Sequence, residues 1–205
     1  MVSKKTTEFK HYIDTNKVPL YNSWRKAQLF LEKYLASSDL EYQVIIDNHQ
    51  TSFRIHFSPK NFEHLLGIKY SSSSFWKNLS DNKISWDSIS TPHHKYYGNA
   101  SPLNDLKRKT QAISALNDLV RPGVLLSLDA SLMYVNFDIS IRSKKQLVTM
   151  LFKRVNNYYV PISLMSLSTP SEITNFYQDN STTLFSVAHI IQHPHDKSQP
   201  SIQLF

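Results

Sequence analysis

The sequence predicts an α+β fold in which a twisted antiparallel sheet of four to six strands is flanked by helices. Three observations support this prediction. Several short runs alternate apolar with polar residues, other runs follow helical spacing, and the two patterns do not repeat as βαβ units. Because 40% of the 205 residues are hydrophobic, the chain can also bury a sizeable core.

The first elements are a helix and a β-hairpin. Apolar residues at helical spacing predict a helix over residues 21–36. Residues 42–46 and 53–57 then alternate between apolar and polar on either side of turn-forming residues, which predicts a hairpin. Residues 61–67 return to helical spacing and end on glycine, a typical helix terminator.

The middle of the chain is less regular. Residues 71–97 are rich in serine, asparagine and aromatic residues, and they predict only short helices near 75–79 and 86–89. Ser101 followed by a first-turn proline then indicates the start of an amphipathic helix that continues to about residue 120.

The last third of the chain is predicted to be mostly strand. Residues 133–141 alternate strictly between apolar and polar, and two further strands are expected at 146–155 and 158–167. A helix near 171–178 and a final strand over 183–191 complete the predicted fold.

Several classes of site are excluded by composition. The chain has no cysteine, which removes disulfides and thiolate chemistry and leaves the cytoplasm as the simplest location. Its three glycines cannot form a P-loop, and no G-x-S-x-G elbow is present. Two pairs of close histidines, at 93–94 and at 193 and 195, suggest a metal site. Both pairs fall in predicted loops or in the polar tail, so a solvated surface is favoured. We therefore predict no metal and no cofactor.

The positive charge is concentrated in the middle of the chain. The formal net charge is +7, and residues 61–156 carry 13 basic against 7 acidic side chains. Such a field attracts RNA or another polyanion, although it suits an acidic protein or an anionic membrane surface equally well. No apolar run is long enough for a membrane anchor, so no membrane is expected as a partner.

A basic and aromatic set remains as the candidate site. Metal-free RNA cleavage needs a base for the ribose 2′-OH, an acid for the 5′-oxygen and cations for the phosphorane. Histidine can serve as base or acid near neutral pH, and lysine and arginine can stabilise phosphate. The alternatives are that His64 hydrogen-bonds a backbone carbonyl and that residues 107–109 form a solvated helix face. The candidate catalytic residues are His64, Lys69 and Arg121, and the candidate substrate-binding residues are Lys107, Arg108, Lys109, Tyr134 and Ser163.

The segment FSPKNFEHLLGIK at residues 57–69 contains the pattern F-x-H-L-x-G. It resembles the signature of the phage-encoded barnase, EndoU, colicin E5/D and RelE-like nuclease group, in which the signature follows a β-hairpin. The resemblance implies a RelE/barnase-like fold and metal-independent RNA cleavage, often as a toxin, with His64 as the residue carried over. It divides the chain into a helical extension (1–39), a nuclease-like domain (40–192) and a polar tail (193–205).

Three functions follow as hypotheses. The first is a phage or mobile-element ribonuclease of toxin type, acting in the host cytoplasm and paired with a cognate antitoxin. In that case His64→Ala should remove cleavage and leave the thermal melt nearly unchanged. The second is a non-catalytic phage inhibitor that binds a host defence complex through its basic surface, and the third is a receptor for a nucleotide signal. The oligomeric state is left open.

Overall fold

The computed structural model describes residues 4–91, 101–132, 135–143, 148–166 and 183–205. The longer helices are α1 (Lys4–Thr15), α2 (Lys17–Leu31), which continues as a π-helical turn (Glu32–Ala36), α3 (Phe62–Leu66), α4 (Phe75–Ser80) and α5 (Pro102–Ile113). The strands are β1 (Ser38–Ile46), β2 (His49–Ile55), β3 (Lys69–Tyr70), β4 (Ile89–Ser90), β5 (Leu125–Leu132), β6 (Val135–Arg142), β7 (Val148–Val155), β8 (Tyr158–Ser166), β9 (Leu184–Pro194) and β10 (Ile202–Gln203).

The main sheet closes on itself. Its strands follow the order β1-β2-β8-β7-β6-β5-β9, and β9 pairs in turn with β1, so that seven strands form a barrel. The short strand β10 adds to β9 as an eighth strand. The pairings are antiparallel except between β2 and β8, where Ile55 lies opposite Tyr159 in parallel register. Strands β3 and β4 form a separate two-stranded sheet.

The predicted RelE/barnase-like fold, a twisted antiparallel sheet of four to six strands flanked by helices, is therefore wrong, because seven strands close into a barrel. Strand β9 produces the closure, because its first residues pair with β5 (Ser186 with Leu125) and the rest pair with β1 (Ile190 with Tyr42). Alternation along a strand identifies a half-buried strand but does not identify its distant neighbour. Strand β5, which supplies part of the ring, is also absent from the predicted elements.

The helices pack on the apolar face of this sheet. Helix α2 buries Leu20, Trp24 and Leu31 at intervals that keep them on one side. These residues share one buried cluster with Val44 of β1 and Ile190 of β9. The opposite face of β1 and β2 carries mostly polar side chains, among them Asp39, Glu41 and Arg54, together with the exposed Ile45.

Most locally predicted elements are confirmed. The helix expected over 21–36 corresponds to α2 and its π-helical turn, and the hairpin corresponds to β1 and β2. The hairpin turn contains Asp47 and Asn48, both at positive φ. The helix expected up to residue 120 divides into α5 and a 3-10 turn (Leu116–Val120). The helix expected at 171–178 lies outside the described residues.

The two ends of the chain contribute to the same structure. Phe9 of α1 and Trp24 of α2 belong to the main core. Asp39 pairs in register with His193, and β10 continues the sheet near the C-terminus. Among the described helices, none has the length and apolar character needed to cross a membrane.

Candidate active site

Helix α3 carries the F-x-H-L-x-G segment, and packing explains most of its side chains. Phe62 is buried, and its ring lies 6.0 Å from the ring of Phe75 and 5.0 Å from that of Trp76, measured between centroids. Leu65 is buried in the same core. His64 is exposed. The histidine therefore differs from its neighbours in the segment, because burial in the core does not explain its side chain.

Lys109 of α5 holds the C-terminal end of α3. Its Nζ donates a hydrogen bond to the backbone carbonyl of His64 at 3.0 Å and lies 3.6 Å from Oδ2 of Asp105. Burial lowers the pKa of Lys109, and the negative charge of Asp105 opposes that shift. Gly67 ends α3 at φ 71°, where a Cβ atom would lie 2.9 Å from both Asp105 and Lys109. Glycine is therefore required there for conformational and steric reasons.

Two of the predicted site cations, Lys107 and Arg121, contact residues outside α3. The Nζ of Lys107 is 5.0 Å from the ring centroid of Tyr12, a cation–π geometry. Arg121 lies 3.4 Å from Asp118, and its side chain is 67% exposed. These contacts give Lys107 and Arg121 partners outside α3.

The remaining predicted residues are spread over the fold. Lys69 is exposed on β3, and Arg108 is half-buried on α5. Ser163 is buried within β8, and Tyr134 lies outside the described residues. The fold does bring Lys109 and His64 together, through the hydrogen bond to the backbone carbonyl of the histidine.

A different set of reactive side chains meets at one end of β1. Leu40 is buried in the core, so the alternation of the strand turns Asp39 to the opposite face. Arg54 of β2 and His56, which directly follows that strand, lie on the same face by the same alternation. Strand β9 runs along the other side of β1 and ends at residue 194, which brings His195 to Asp39.

Asp39 is the centre of this group, which we name the histidine–aspartate cluster (Asp39, Arg54, His56, His195). Its Oδ1 lies 2.9 Å from Nδ1 of His56 and 3.1 Å from Nε2 of His195, and its Oδ2 lies 3.1 Å from Nε of Arg54. The Asp39 side chain is 5% exposed, whereas those of His56 and His195 are 42% and 41% exposed. The two imidazole centroids are 5.6 Å apart. A buried carboxylate thus holds two solvent-facing imidazoles side by side.

Hydrogen bonding fixes the charge of Asp39. Burial alone would raise its pKa, but hydrogen bonds from His56 and His195, helped by the positive charge of Arg54, lower the pKa below its ordinary value. An ionised carboxylate only accepts hydrogen bonds, so the ring nitrogens that face Asp39 carry hydrogen. Nε2 of His56 and Nδ1 of His195 are then the nitrogens left to meet a substrate.

A second histidine–carboxylate pair lies farther along the same strands. Nε2 of His193 is 2.9 Å from Glu41, and its Nδ1 is 2.8 Å from the hydroxyl of Ser201. Burial would raise the pKa of Glu41, but hydrogen bonds from Gln43, Ser52 and His193 lower it. Because both of its ring nitrogens are engaged, His193 connects strands and does not offer a nitrogen to solvent.

We predict that this sheet face makes stability depend on pH. A carboxylate whose pKa is lowered by folding stabilises the protein above its unfolded pKa of about 3.9, and that contribution is lost as pH falls through the folded pKa. The free energy of unfolding, measured by urea denaturation, should therefore fall as the pH is lowered from about 5 to below the unfolded pKa of about 3.9. Asp39→Asn should show a smaller fall, with Asp81→Asn as the control for removal of an exposed carboxylate. An equal fall in wild type and Asp39→Asn would contradict the prediction.

The cluster also has the composition of a metal site. One ligand atom from each of Asp39, His56 and His195 lies within 4.8 Å of the others. The guanidinium of Arg54, however, already neutralises the second oxygen of Asp39, and its positive charge opposes a nearby dication. Proton transfer by the two imidazoles suits this arrangement better than metal binding.

The sequence held a signal for part of this cluster. In the predicted hairpin, the apolar residues at 53, 55 and 57 leave Arg54 and His56 together on the opposite side. His195 was assigned to a polar tail, because local sequence does not show that β9 lies beside β1. The predicted strand begins at residue 42, which leaves Asp39 outside it, whereas the strand in the fold begins at Ser38.

Comparison with known families adds to this geometry. The family model described as phage-Barnase-EndoU-ColicinE5/D-RelE like nuclease4, PBECR4, matches residues 25–201. The chain belongs to this family. The suspected resemblance is therefore confirmed, and the matched range contains α3 as well as the histidine–aspartate cluster. No curated protein and no solved structure matches the chain.

Membership in PBECR4 makes this a phage nuclease-like protein. The family description states neither the nucleic acid that is cleaved nor the residues that cleave it. Those two points depend on the chemistry of the side chains described above.

Proposed function

We propose that this PBECR4 protein cleaves RNA without a metal ion, with His56 and His195 as its acid–base pair. One observation carries the proposal: a single buried carboxylate, Asp39, orients two exposed imidazoles whose centroids are 5.6 Å apart. Such a pair can supply a base and an acid for the same reaction. Arg54, beside Asp39, supplies a permanent positive charge.

The reaction is an attack of the ribose on its own phosphate. The neutral imidazole of the pair removes the 2′-OH proton, and the 2′-oxygen forms a bond to phosphorus. The P–O5′ bond then breaks, and the protonated imidazole gives its proton to the leaving 5′-oxygen. The products are a 2′,3′-cyclic phosphate and a 5′-hydroxyl, and the two imidazoles have exchanged protonation states. DNA lacks the attacking hydroxyl, so the chemistry selects RNA.

The family signature offers a second centre for the same reaction. His64 remains a predicted catalytic residue, because it is the exposed member of a segment whose other side chains pack. Lys69 and Arg121 remain predicted phosphate ligands. We favour the histidine–aspartate cluster because its two imidazoles lie side by side and are held by a third group. At α3, by contrast, the Lys109 ammonium contacts the backbone carbonyl of His64.

The test is cleavage of a labelled single-stranded RNA by the purified protein in excess EDTA. We expect turnover, products that end in 2′,3′-cyclic phosphate, and no cleavage of the DNA of the same sequence. RNA binding without turnover would contradict the enzyme and favour the alternative of an inhibitor. Cleavage that EDTA abolishes and added divalent metal restores would contradict the metal-independent mechanism.

A further inference from the structure

We infer that Tyr158 is a stacking platform for one base of single-stranded RNA, next to the histidine–aspartate cluster. The inference rests on the proposed function, because it supplies the substrate position for the same site. It names single-stranded RNA, and not a duplex, as the substrate class.

Tyr158 is an aromatic residue that the core does not bury. It is the first residue of β8, follows a two-residue turn that contains Asn156 at φ 56°, and lies opposite Val155 of β7 in register. Tyr158 is 38% exposed and Val155 is 51% exposed. Cross-strand partners project from the same face of a sheet, so the two form an apolar ledge open to solvent.

The ledge adjoins the cationic end of the cluster. The ring centroid of Tyr158 lies 5.6 Å from that of His56, and the guanidinium carbon of Arg54 lies 5.9 Å from the ring of Tyr158. The parallel contact between β2 and β8 fixes this position, because the N–H of His56 donates to the carbonyl of Tyr159 at 2.9 Å. A phosphate held at Arg54 and His56 would therefore have an aromatic surface within one nucleotide of it.

Single-stranded RNA is the ligand that satisfies both surfaces. Its phosphates are anionic, and its unpaired bases expose π-faces that stack on aromatic side chains irrespective of sequence. Bases within a duplex are already stacked on both faces, and the duplex offers mainly its backbone and shallow groove. The ledge would thus discriminate between the two forms of RNA, while Arg54 would not.

The test uses binding, so that it does not depend on chemistry. The probe is a fluorescent 12-nucleotide 2′-O-methyl RNA of mixed sequence, which cannot be cleaved, alone or annealed to its complement. We expect wild type to prefer the single strand and Tyr158→Leu to lose about tenfold in affinity for it. Tyr158→Phe, which keeps the ring, should bind within about twofold of wild type, and affinity for the duplex should change little in both variants.

The outcomes separate the two proposals. Equal single-strand affinity in wild type and Tyr158→Leu overturns the stacking platform, even if wild type cleaves RNA. The same is true if Tyr158→Leu weakens single strand and duplex equally, or if wild type does not bind the single strand. If the expected binding pattern holds but wild type never cleaves RNA, the ribonuclease proposal fails while the single-strand site stands.

Discussion

Replacing His56 by asparagine, or His195 by glutamine, should lower kcat/KM for RNA cleavage by about 100- to 10,000-fold. Asparagine places an amide donor near the position of Nδ1, which His56 uses toward Asp39, and glutamine places one near Nε2, which His195 uses. Each variant therefore keeps a donor for the buried carboxylate and loses the group that transfers the proton. The measurement is steady-state cleavage of an RNA oligonucleotide in EDTA, with thermal melting to check folding.

Two further histidine variants make this result specific. His49→Ala removes an exposed imidazole at the start of β2 and should leave kcat/KM unchanged. His64→Ala tests the signature histidine in the same assay. If His64→Ala abolishes cleavage while the His56 and His195 variants retain it, the acid–base assignment to the cluster is wrong and the reaction belongs to α3. The double variant His56→Asn/His195→Gln should have a kcat/KM only slightly lower than that of the less active single variant, because both residues act in one step.

The second large effect concerns stability at Lys109. Lys109→Met should lower the free energy of unfolding by about 2 to 3 kcal/mol. The side chain of Lys109 is 8% exposed, and its loss would leave Asp105 without its ion pair and the carbonyl of His64 without its donor. The expected loss is smaller than for a fully buried pair because Asp105 is 29% exposed. Urea denaturation measures the change.

Matched variants separate this effect from simple loss of charge. Lys107→Met, on the exposed side of the same helix, should change the free energy of unfolding by less than about 0.5 kcal/mol. Asp105→Asn combined with Lys109→Met should recover part of the stability, because the carboxylate left unpaired by the single change is removed. Wild-type stability with weakened RNA binding in Lys109→Met would instead support Lys109 as a substrate ligand.

The helices and hairpins could be predicted from the sequence because their signals are local. The apolar stripe of α2, the turn at Asp47 and Asn48, and the end of α3 at Gly67 each depend on residues a few positions apart. Helix α5 has a similar buried stripe, and that stripe includes a lysine, Lys109, among apolar residues. The sequence predicts Lys109 as a substrate ligand because lysine can stabilise phosphate, with a solvated helix face as the alternative, whereas the fold buries its side chain.

The closure of the barrel could not be predicted because it depends on pairing between strands that are far apart in the sequence. Strand β9 pairs with β1 from the far end of the chain, as His193 does with Asp39. The parallel contact between Ile55 and Tyr159 likewise joins two hairpins. The alternation of a strand does not show which partner it takes. The predicted number of strands is therefore wrong, and the closure of the sheet into a barrel is not predicted.

The amino-acid sequence by itself determined the family, whose model matches residues 25–201, and most of the helices and strands between residues 17 and 194. Only the tertiary structure decided that His195, near the C-terminus, meets His56 over one carboxylate. The physical reason is that periodicity assigns each side chain to a face of its own strand, whereas the convergence of three strands depends on long-range hydrogen-bonded pairing. A reactive site made of single residues from separate strands therefore becomes visible only once the strands are assembled.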